Sequence, residues 1–171
     1  MCGIAGFHSL RGELPRQAAS REILERMAES VRHRGPDDGG VYLDARCGLG
    51  HRRLSIVDLT PAGRQPLRSA DGSLWITFNG EIFNYVELRR ELEAAGHAFR
   101  SHSDTETIVA AYAERGTRCV ESFNGDFAYA LWDRTRQRLV LARDRMGVRP
   151  LYYTIAGGVL VFASEVKALL E

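Results

Sequence analysis

Apolar side chains recur at helical spacing in three segments of the chain. The first holds Ile23, Met27 and Val31 at four-residue intervals, which predicts an amphipathic helix that follows Pro15 and ends near Arg32. Each of the other two begins at a residue able to cap a helix, with a glutamate three residues later. These pairs are Asn84 with Glu87 and Ser103 with Glu106, and the helices are predicted to end at Gly96 and Gly116.

Short runs of β-forming residues, separated by turn residues, predict strands. The strongest is Leu-Trp-Ile-Thr-Phe at 74–78, which is expected to end at Asn79-Gly80, and an opening strand is expected at about 3–8. Further strands are predicted at about 40–43, 48–54, 127–132, 138–142, 151–154 and 159–163, with the last four forming an antiparallel meander.

Glycine and proline predict loops at 32–40 and, on the surface, at 61–72, and a short closing helix at 164–170 is expected to be capped by Ser164. Strands are followed by helices and then by strands again, and the chain shows neither an internal repeat nor a change of composition. The pattern therefore predicts one mixed α+β domain with mostly antiparallel sheets.

Composition excludes several classes of function. The 171 residues are 44% hydrophobic and 26% charged, which is typical of a folded globular domain. A net charge of +1 offers no electrostatic reason to expect a nucleic acid or an anionic membrane as partner. Neither a spanning apolar run nor a signal peptide is visible. Because the three cysteines and five histidines lack metal-site or disulfide-framework spacing, we expect a cytoplasmic protein without a bound metal.

Cys2 directly follows the initiator methionine and is the first candidate for chemistry. Removal of Met1 would leave Cys2 with both a thiol and a free α-amino group, whose ordinary pKa values are about 8.5 and about 7.7–8.0. Activation of a side chain by the terminal amine is a known route to covalent catalysis. The alternative is a cysteine in a frayed terminus. The apolar run that follows weakens this alternative, but this stretch alone leaves both readings open.

Three other segments could serve the same chemistry, although each also has an ordinary structural explanation. Asn79-Gly80 is a strong signal for a hairpin turn. Alternatively, the Asn79 side-chain amide and the Gly80 backbone N–H could stabilise an oxyanion. Arg52 and Arg53 point to opposite faces of a strand, and either could bind a carboxylate bidentately. Asp104 suits the first turn of any helix, and that helix end should keep its carboxylate ionised for a substrate ammonium group.

Taken together, these segments resemble the glutaminase domain of glutamine-dependent asparagine synthetases, a class II glutamine amidotransferase of the N-terminal-nucleophile type. The resemblance covers essentially the whole chain and implies a four-layer αββα sandwich. The matching motifs are Cys2-Gly3-Ile4-Ala5-Gly6, Arg32-His33-Arg34-Gly35-Pro36-Asp37, His51-Arg52-Arg53-Leu54-Ser55-Ile56-Val57-Asp58, Asn79-Gly80-Glu81-Ile82, Ser103-Asp104-Thr105-Glu106, Arg143-Asp144-Arg145, Pro150-Leu151-Tyr152-Tyr153 and Ser164-Glu165-Val166-Lys167-Ala168-Leu169.

The resemblance also implies the reaction and its residues. Cys2 would attack the side-chain amide of L-glutamine, ammonia would leave, and water would release glutamate from the thioester. The residues implied to hold glutamine are Arg53 for its α-carboxylate, Ile56 and Val57 through their backbone, Asn79 and Gly80 for the oxyanion, Glu81 beside them, and Asp104 for its α-ammonium.

Family members continue into an ATP-dependent synthetase domain, whose Ser-Gly-Gly-Leu-Asp-like nucleotide loop is absent from these 171 residues. We therefore expect residues 1–171 to be one glutaminase domain without a cofactor, with ATP and magnesium bound only by a synthetase domain or partner that accepts the ammonia. The alternative is a catalytically silent scaffold that docks a synthetase partner. A self-cleaving hydrolase of other amides is disfavoured, because Arg53 and Asp104 suit the two charged ends of an amino acid.

Overall fold

The structure is a computed structural model that describes residues 1–14, 17–55 and 61–171. Its strands form two antiparallel sheets. The first has the order β2-β3-β1-β9-β8 and the second the order β4-β5-β6-β7. The strands are β1 (Gly3–Ser9), β2 (Asp38–Leu43), β3 (Cys47–Arg53), β4 (Leu67–Arg68), β5 (Leu74–Ile82), β6 (Gly125–Asp133), β7 (Arg138–Arg143), β8 (Tyr152–Ala156) and β9 (Val159–Ala163). The α-helices are α1 (Gln17–Ser30), α2 (Tyr85–Ala94) and α3 (Asp104–Arg115).

Three layers of buried side chains hold these elements together. Leu24 and Met27 of α1 pack on the outer face of the first sheet. The two sheets enclose a middle layer that includes Trp132 and Phe162. A third layer, which includes Ile108, fills the space between the second sheet and helices α2 and α3. Since each fully buried large apolar side chain contributes about 1.5–3 kcal/mol, these layers are the main source of stability. The α+β fold with αββα layering expected from the sequence is confirmed.

The strands near the predicted turns differ from the sequence-based expectation. Strand β5 does not end at Asn79-Gly80 but continues to Ile82, because this segment pairs with β6 through Gly80–Phe127 and Ile82–Gly125. The predicted four-strand meander is also wrong, since β6 and β7 belong to the second sheet while β8 and β9 belong to the first.

The helix starts lie where they were predicted, but their caps differ. Asn84 precedes α2 without a side-chain capping bond; its amide instead joins Asn124 N (2.9 Å) and Ser122 O (3.0 Å). Ser103 Oγ does cap α3 by accepting a bond from Thr105 N. Glu106 does not complete a capping box with it, because its carboxylate is held by backbone N–H groups of the preceding loop.

Three segments predicted as loop or closing helix have a different structure. Residues 32–40 include a 3₁₀ turn at Arg32–Arg34 and the start of β2. Residues 61–72 include β4 and the buried Gln65, so this segment is not wholly a surface loop. The closing helix is a 3₁₀ turn at Val166–Leu169, and Ser164 binds the backbone of Ile4 rather than capping it.

In the described part of the chain, the helices are too short or too polar to span a bilayer.

Candidate active site

A pocket opens where the start of β1, the end of β3, the last part of β5 and the start of α3 meet. Its volume is about 100 Å³, several times the roughly 10–15 Å³ that one water needs. The pocket is lined by Cys2, Arg53, Asn79, Gly80, Glu81 and Asp104, among others. These residues come from four separate segments of the sequence and are brought together by the stacking of the two sheets and by the packing of α3 on the second sheet.

Cys2 directly precedes β1 and is half-buried against the end of β3. Its Sγ accepts a hydrogen bond from Leu54 N (3.4 Å) and lies 3.7 Å from Leu54 O. Burial raises the pKa of the Cys2 thiol, while the Leu54 bond and the positive charges of the Met1 amino group and Arg53 act in the opposite direction. The thiolate would therefore gain from any further positive charge or N–H donor near Sγ.

The backbone of Cys2 is held by the turn that follows α1. Arg34 Nε donates to Cys2 O (3.0 Å), and its Nη1 donates to Glu165 Oε1 (3.0 Å). Burial opposes ionisation of Glu165, but bonds from Arg34, His33 and Lys167 prevail and lower its pKa to about 2. Arg34 thus links the cysteine to a carboxylate beyond β9 that is ionised at neutral pH, and this link holds the start of β1.

Arg52 and Arg53 lie on opposite faces of β3, as strand geometry requires. Arg52 points away from the pocket, where it forms an ion pair with Glu29 on α1. Arg53 is 8% exposed and lines the pocket close enough to Cys2 to influence the titration of its thiol. Of the two arginines, only Arg53 can meet a ligand in this pocket.

Asn79 has a buried donor group without a partner. The side chain is 1% exposed, and its Nδ2 forms no hydrogen bond with the described residues. An unpaired buried N–H costs about 1–3 kcal/mol. An amide donor left unpaired at the wall of a pocket is suited to an acceptor that arrives with a ligand.

Gly80 follows Asn79 at a position that only glycine can occupy. Its φ is +155°, and an added Cβ would lie 2.1 Å from Asp126 O on the neighbouring strand β6. The absence of a side chain lets β5 and β6 pair closely here and leaves the backbone at this point open to the pocket.

Asp104 begins α3 and is 4% exposed. Its Oδ2 accepts a hydrogen bond from Ile82 N (3.0 Å), which ties the helix start to the end of β5. Burial raises the pKa of Asp104 to about 6, against the lowering effect of backbone N–H donors; the nearby Glu81 raises it further. The carboxyl is therefore half protonated near pH 6 and mostly ionised at neutral pH, and its predicted contact with a substrate ammonium group stays a prediction.

The remaining predicted residues contribute differently. Glu81 is exposed at the rim of the pocket. Ile56 and Val57 lie outside the described residues, so their predicted backbone contacts stay predictions.

Two further pocket residues, Gln65 and Arg149, carried no signal in the sequence. Gln65 is 6% exposed and contacts both β5 and α3 through its amide. Arg149 lies in a charged connection to which the sequence assigned no chemistry; Asp144 Oδ2 accepts a bond from its backbone N–H. Gln65 is placed by contacts with distant segments of the chain, which a local motif does not encode, whereas the Arg149 backbone is held by a local bond five residues away.

No cluster of three or more potential metal-binding side chains (His, Cys, Asp, Glu) occurs among the described residues.

Comparison with known proteins shows the family of this chain. A family model described as a glutamine amidotransferase domain matches residues 1–171. The chain is 42% identical over 99% of its length to asparagine synthetase [glutamine-hydrolyzing] 1 of Bacillus subtilis, and 44% identical over its full length to asparagine synthetase [glutamine-hydrolyzing] 2 of the same organism. It covers only 27% and 22% of those two relatives, or about a quarter of their length.

The fold is similar to that of a solved glutamine phosphoribosylpyrophosphate amidotransferase from B. subtilis. The TM-score is 0.79 at 23% identity, over 98% of this chain and 43% of that one. At this level of identity the likeness concerns the fold.

Proposed function

Since the chain belongs to the glutamine amidotransferase domain family, we propose that it is the glutaminase part of a glutamine-dependent amidotransferase of the asparagine synthetase type. The observation that carries this proposal is the convergence of a cysteine, an arginine, an unpaired amide and a carboxylate on one pocket. These groups match the four needs of glutamine hydrolysis: a nucleophile, a carboxylate binder, an oxyanion donor and an ammonium binder.

The first step uses Cys2 after Met1 has been removed. The freed α-amine, directly or through a water, takes the thiol proton, and the thiolate attacks the side-chain amide carbon of glutamine. The Nδ2–H of Asn79 and the N–H of Gly80 stabilise the oxyanion that forms. The proton held by the amine passes to the amide nitrogen, the C–N bond breaks and ammonia leaves a γ-glutamyl thioester.

The second step returns the enzyme to its starting state. Water adds to the thioester, the C–S bond breaks, and glutamate leaves while the cysteine regains its proton. Arg53 binds the substrate α-carboxylate and Asp104 its α-ammonium, so both charged ends are fixed. This pairing selects a free amino acid over a simple amide.

The ammonia acceptor lies in a synthetase domain or partner, for which the asparagine synthetase relatives suggest an aspartate-like carboxylate. ATP and magnesium would act there, and the proposed glutaminase chemistry needs neither. The expected extent of the domain over residues 1–171 and its cytoplasmic location stay predictions.

The second candidate is a silent scaffold that only docks a synthetase. A scaffold would not require the unpaired, buried Asn79 amide donor in the same pocket as Cys2. The deciding experiment measures glutamate and ammonia formed from glutamine by the Met1-free chain, alone and with a synthetase unit. If the processed chain stays inert in both mixtures, the scaffold is the better account.

The two neighbouring arginines should differ sharply in their effect on glutamine binding. Arg53→Ala is expected to raise KM for glutamine at least about tenfold, because charged hydrogen bonds contribute about 1.5–3 kcal/mol. Arg52→Ala loses a pair with the half-exposed Glu29 and a bond to Ala28 O on α1, both outside the pocket, and should leave KM within about twofold of the wild type. Steady-state kinetics on both variants test this, and equal KM values would show that Arg53 is not the carboxylate binder.

The raised pKa of Asp104 predicts a pH dependence for glutamine capture. Below about pH 6 the carboxyl takes up a proton and can no longer pair with an ammonium group. We expect kcat/KM to fall by about a further tenfold per pH unit on the acidic side of this value, in addition to the loss from protonation of the terminal amine at higher pH. Asp104→Asn should lower kcat/KM at neutral pH and remove this additional fall. An identical acidic limb in wild type and Asp104→Asn would assign the titration to another group.

A further inference from the structure

We propose that Gln65 is a positioning residue that locks the Asn79–Gly80 segment of β5 to the start of α3. This inference rests on the proposed function, because the proposed function assigns Asn79 and Asp104 their roles in glutamine hydrolysis. Gln65 itself lies just before β4 and is not part of any motif that suggested the function.

The side-chain amide of Gln65 makes two bonds, one to each element. Its Oε1 accepts from Phe78 N (2.6 Å), and its Nε2 donates to Thr105 Oγ1 (3.2 Å). Phe78 directly precedes Asn79, and Thr105 directly follows Asp104. One buried amide therefore joins the residue next to the oxyanion donor to the residue next to the ammonium binder.

The strand pairing explains why this segment of β5 needs such a bond. On one edge β5 pairs with β6 over its full length, but on the other edge β4 covers only Ile76 and Trp75. The backbone of Phe78 lies beyond β4, and side chains satisfy both its N–H and its carbonyl group. The Phe78 N–H donates to the Gln65 side chain, and His51 Nε2 lies 3.1 Å from the Phe78 carbonyl oxygen.

The backbone of Gln65 is fixed as well. An added Cβ on Gly40 of β2 would lie 2.6 Å from Gln65 O, so strand β2 packs directly against this peptide. Strand β2 of the first sheet thus supports the Gln65 peptide, and the side-chain amide extends this support to β5 and α3. Because a misplacement of about 1 Å can cost about 100-fold in rate, loss of the anchor should be visible in the kinetics.

The test compares two variants that remove different parts of the bridge. Gln65→Met keeps an unbranched side chain of similar length but loses both bonds. Thr105→Val keeps the shape and the Phe78 bond but loses the link to α3. Gln137→Met is the matched control, since Gln137 lies at the β6–β7 turn, at the opposite end of the second sheet from Gly80.

Gln65→Met is expected to lower kcat for glutamine hydrolysis at least about tenfold, whereas Thr105→Val should retain kcat and raise KM about threefold or more. Gln137→Met should change neither. Hydrogen exchange at the Phe78 amide should accelerate in Gln65→Met and stay at the wild-type rate in Thr105→Val. A general loss of stability would accelerate exchange throughout the core, so the local pattern separates positioning from folding.

The proposal would be overturned by a kcat for Gln65→Met equal to that of Gln137→Met, or by unchanged exchange at Phe78. If Gln65→Met fails to fold, unchanged KM in the Thr105→Val variant would overturn the link to α3. A wild-type chain without glutaminase activity would reject the proposed function instead, and the Phe78 exchange rates would still test the anchor.

Discussion

Replacement of Cys2 by alanine is expected to abolish glutamine hydrolysis. The variant keeps the pocket and its charged groups but has no atom that can form the γ-glutamyl thioester. Loss of a catalytic nucleophile commonly lowers kcat by far more than about a thousandfold. Ammonia release should therefore drop to the rate of the protein-free solution, whereas binding of glutamine, measured by calorimetry, should persist.

The other two cysteines serve as matched controls. Cys47 and Cys119 are buried, and burial raises the pKa of both thiols. Cys47→Ala and Cys119→Ala can lower stability through lost packing, but kcat per folded molecule should remain at the wild-type value. Full activity in Cys2→Ala, or a loss of kcat per folded molecule in either control, would contradict the assignment of the nucleophile.

The second large effect is expected at Asn79. Asn79→Ala should lower kcat by about 100- to 1000-fold, the effect of removing one oxyanion donor, or about 2.7–4 kcal/mol of barrier. KM should stay within about threefold, because the bond forms only as charge develops in the transition state. The unpaired state of Nδ2 without ligand is consistent with a donor kept for that moment.

Asn124→Ala offers the matched control for this variant. Asn124 is exposed, and its backbone, rather than its side chain, binds Asn84. Gly80→Ala is a poor test of the same oxyanion site, since its Cβ would collide with Asp126 O and distort β5. A raised KM with unchanged kcat in Asn79→Ala would mean that the amide binds the ground state and not the oxyanion.

Helices and strands could be predicted from the sequence where the spacing of apolar side chains determines them. The helices α2 and α3 begin within one residue of the predicted positions, because caps and apolar spacing are local signals. The extension of β5 could not be predicted, since it depends on pairing with β6 more than forty residues away. The division of the last four strands between two sheets is a long-range outcome of the same kind.

In the site, too, residues with a local sequence signal could be predicted, whereas properties that depend on long-range contacts could not. Cys2, Arg53 and Asp104 were candidates because their residue types and positions suit a definite chemistry. Gln65 gave no such signal, since its contacts with Phe78 and Thr105 join segments that are far apart in the sequence. The raised pKa of Asp104 could not be predicted for the same reason: the helix start is visible in the sequence, but the extent of burial is not.

The most direct test of the account uses the chain with Cys2 as its first residue. This chain, released from an N-terminal fusion and checked by intact mass, is mixed with glutamine and a synthetase unit, without ATP so that the ammonia is not consumed, and glutamate and ammonia are measured. The account predicts that both products form in equal amounts, and that the uncleaved fusion, whose Cys2 has no free amine, forms neither. Equal rates from the cleaved and uncleaved proteins, or no products from the cleaved chain, would contradict it.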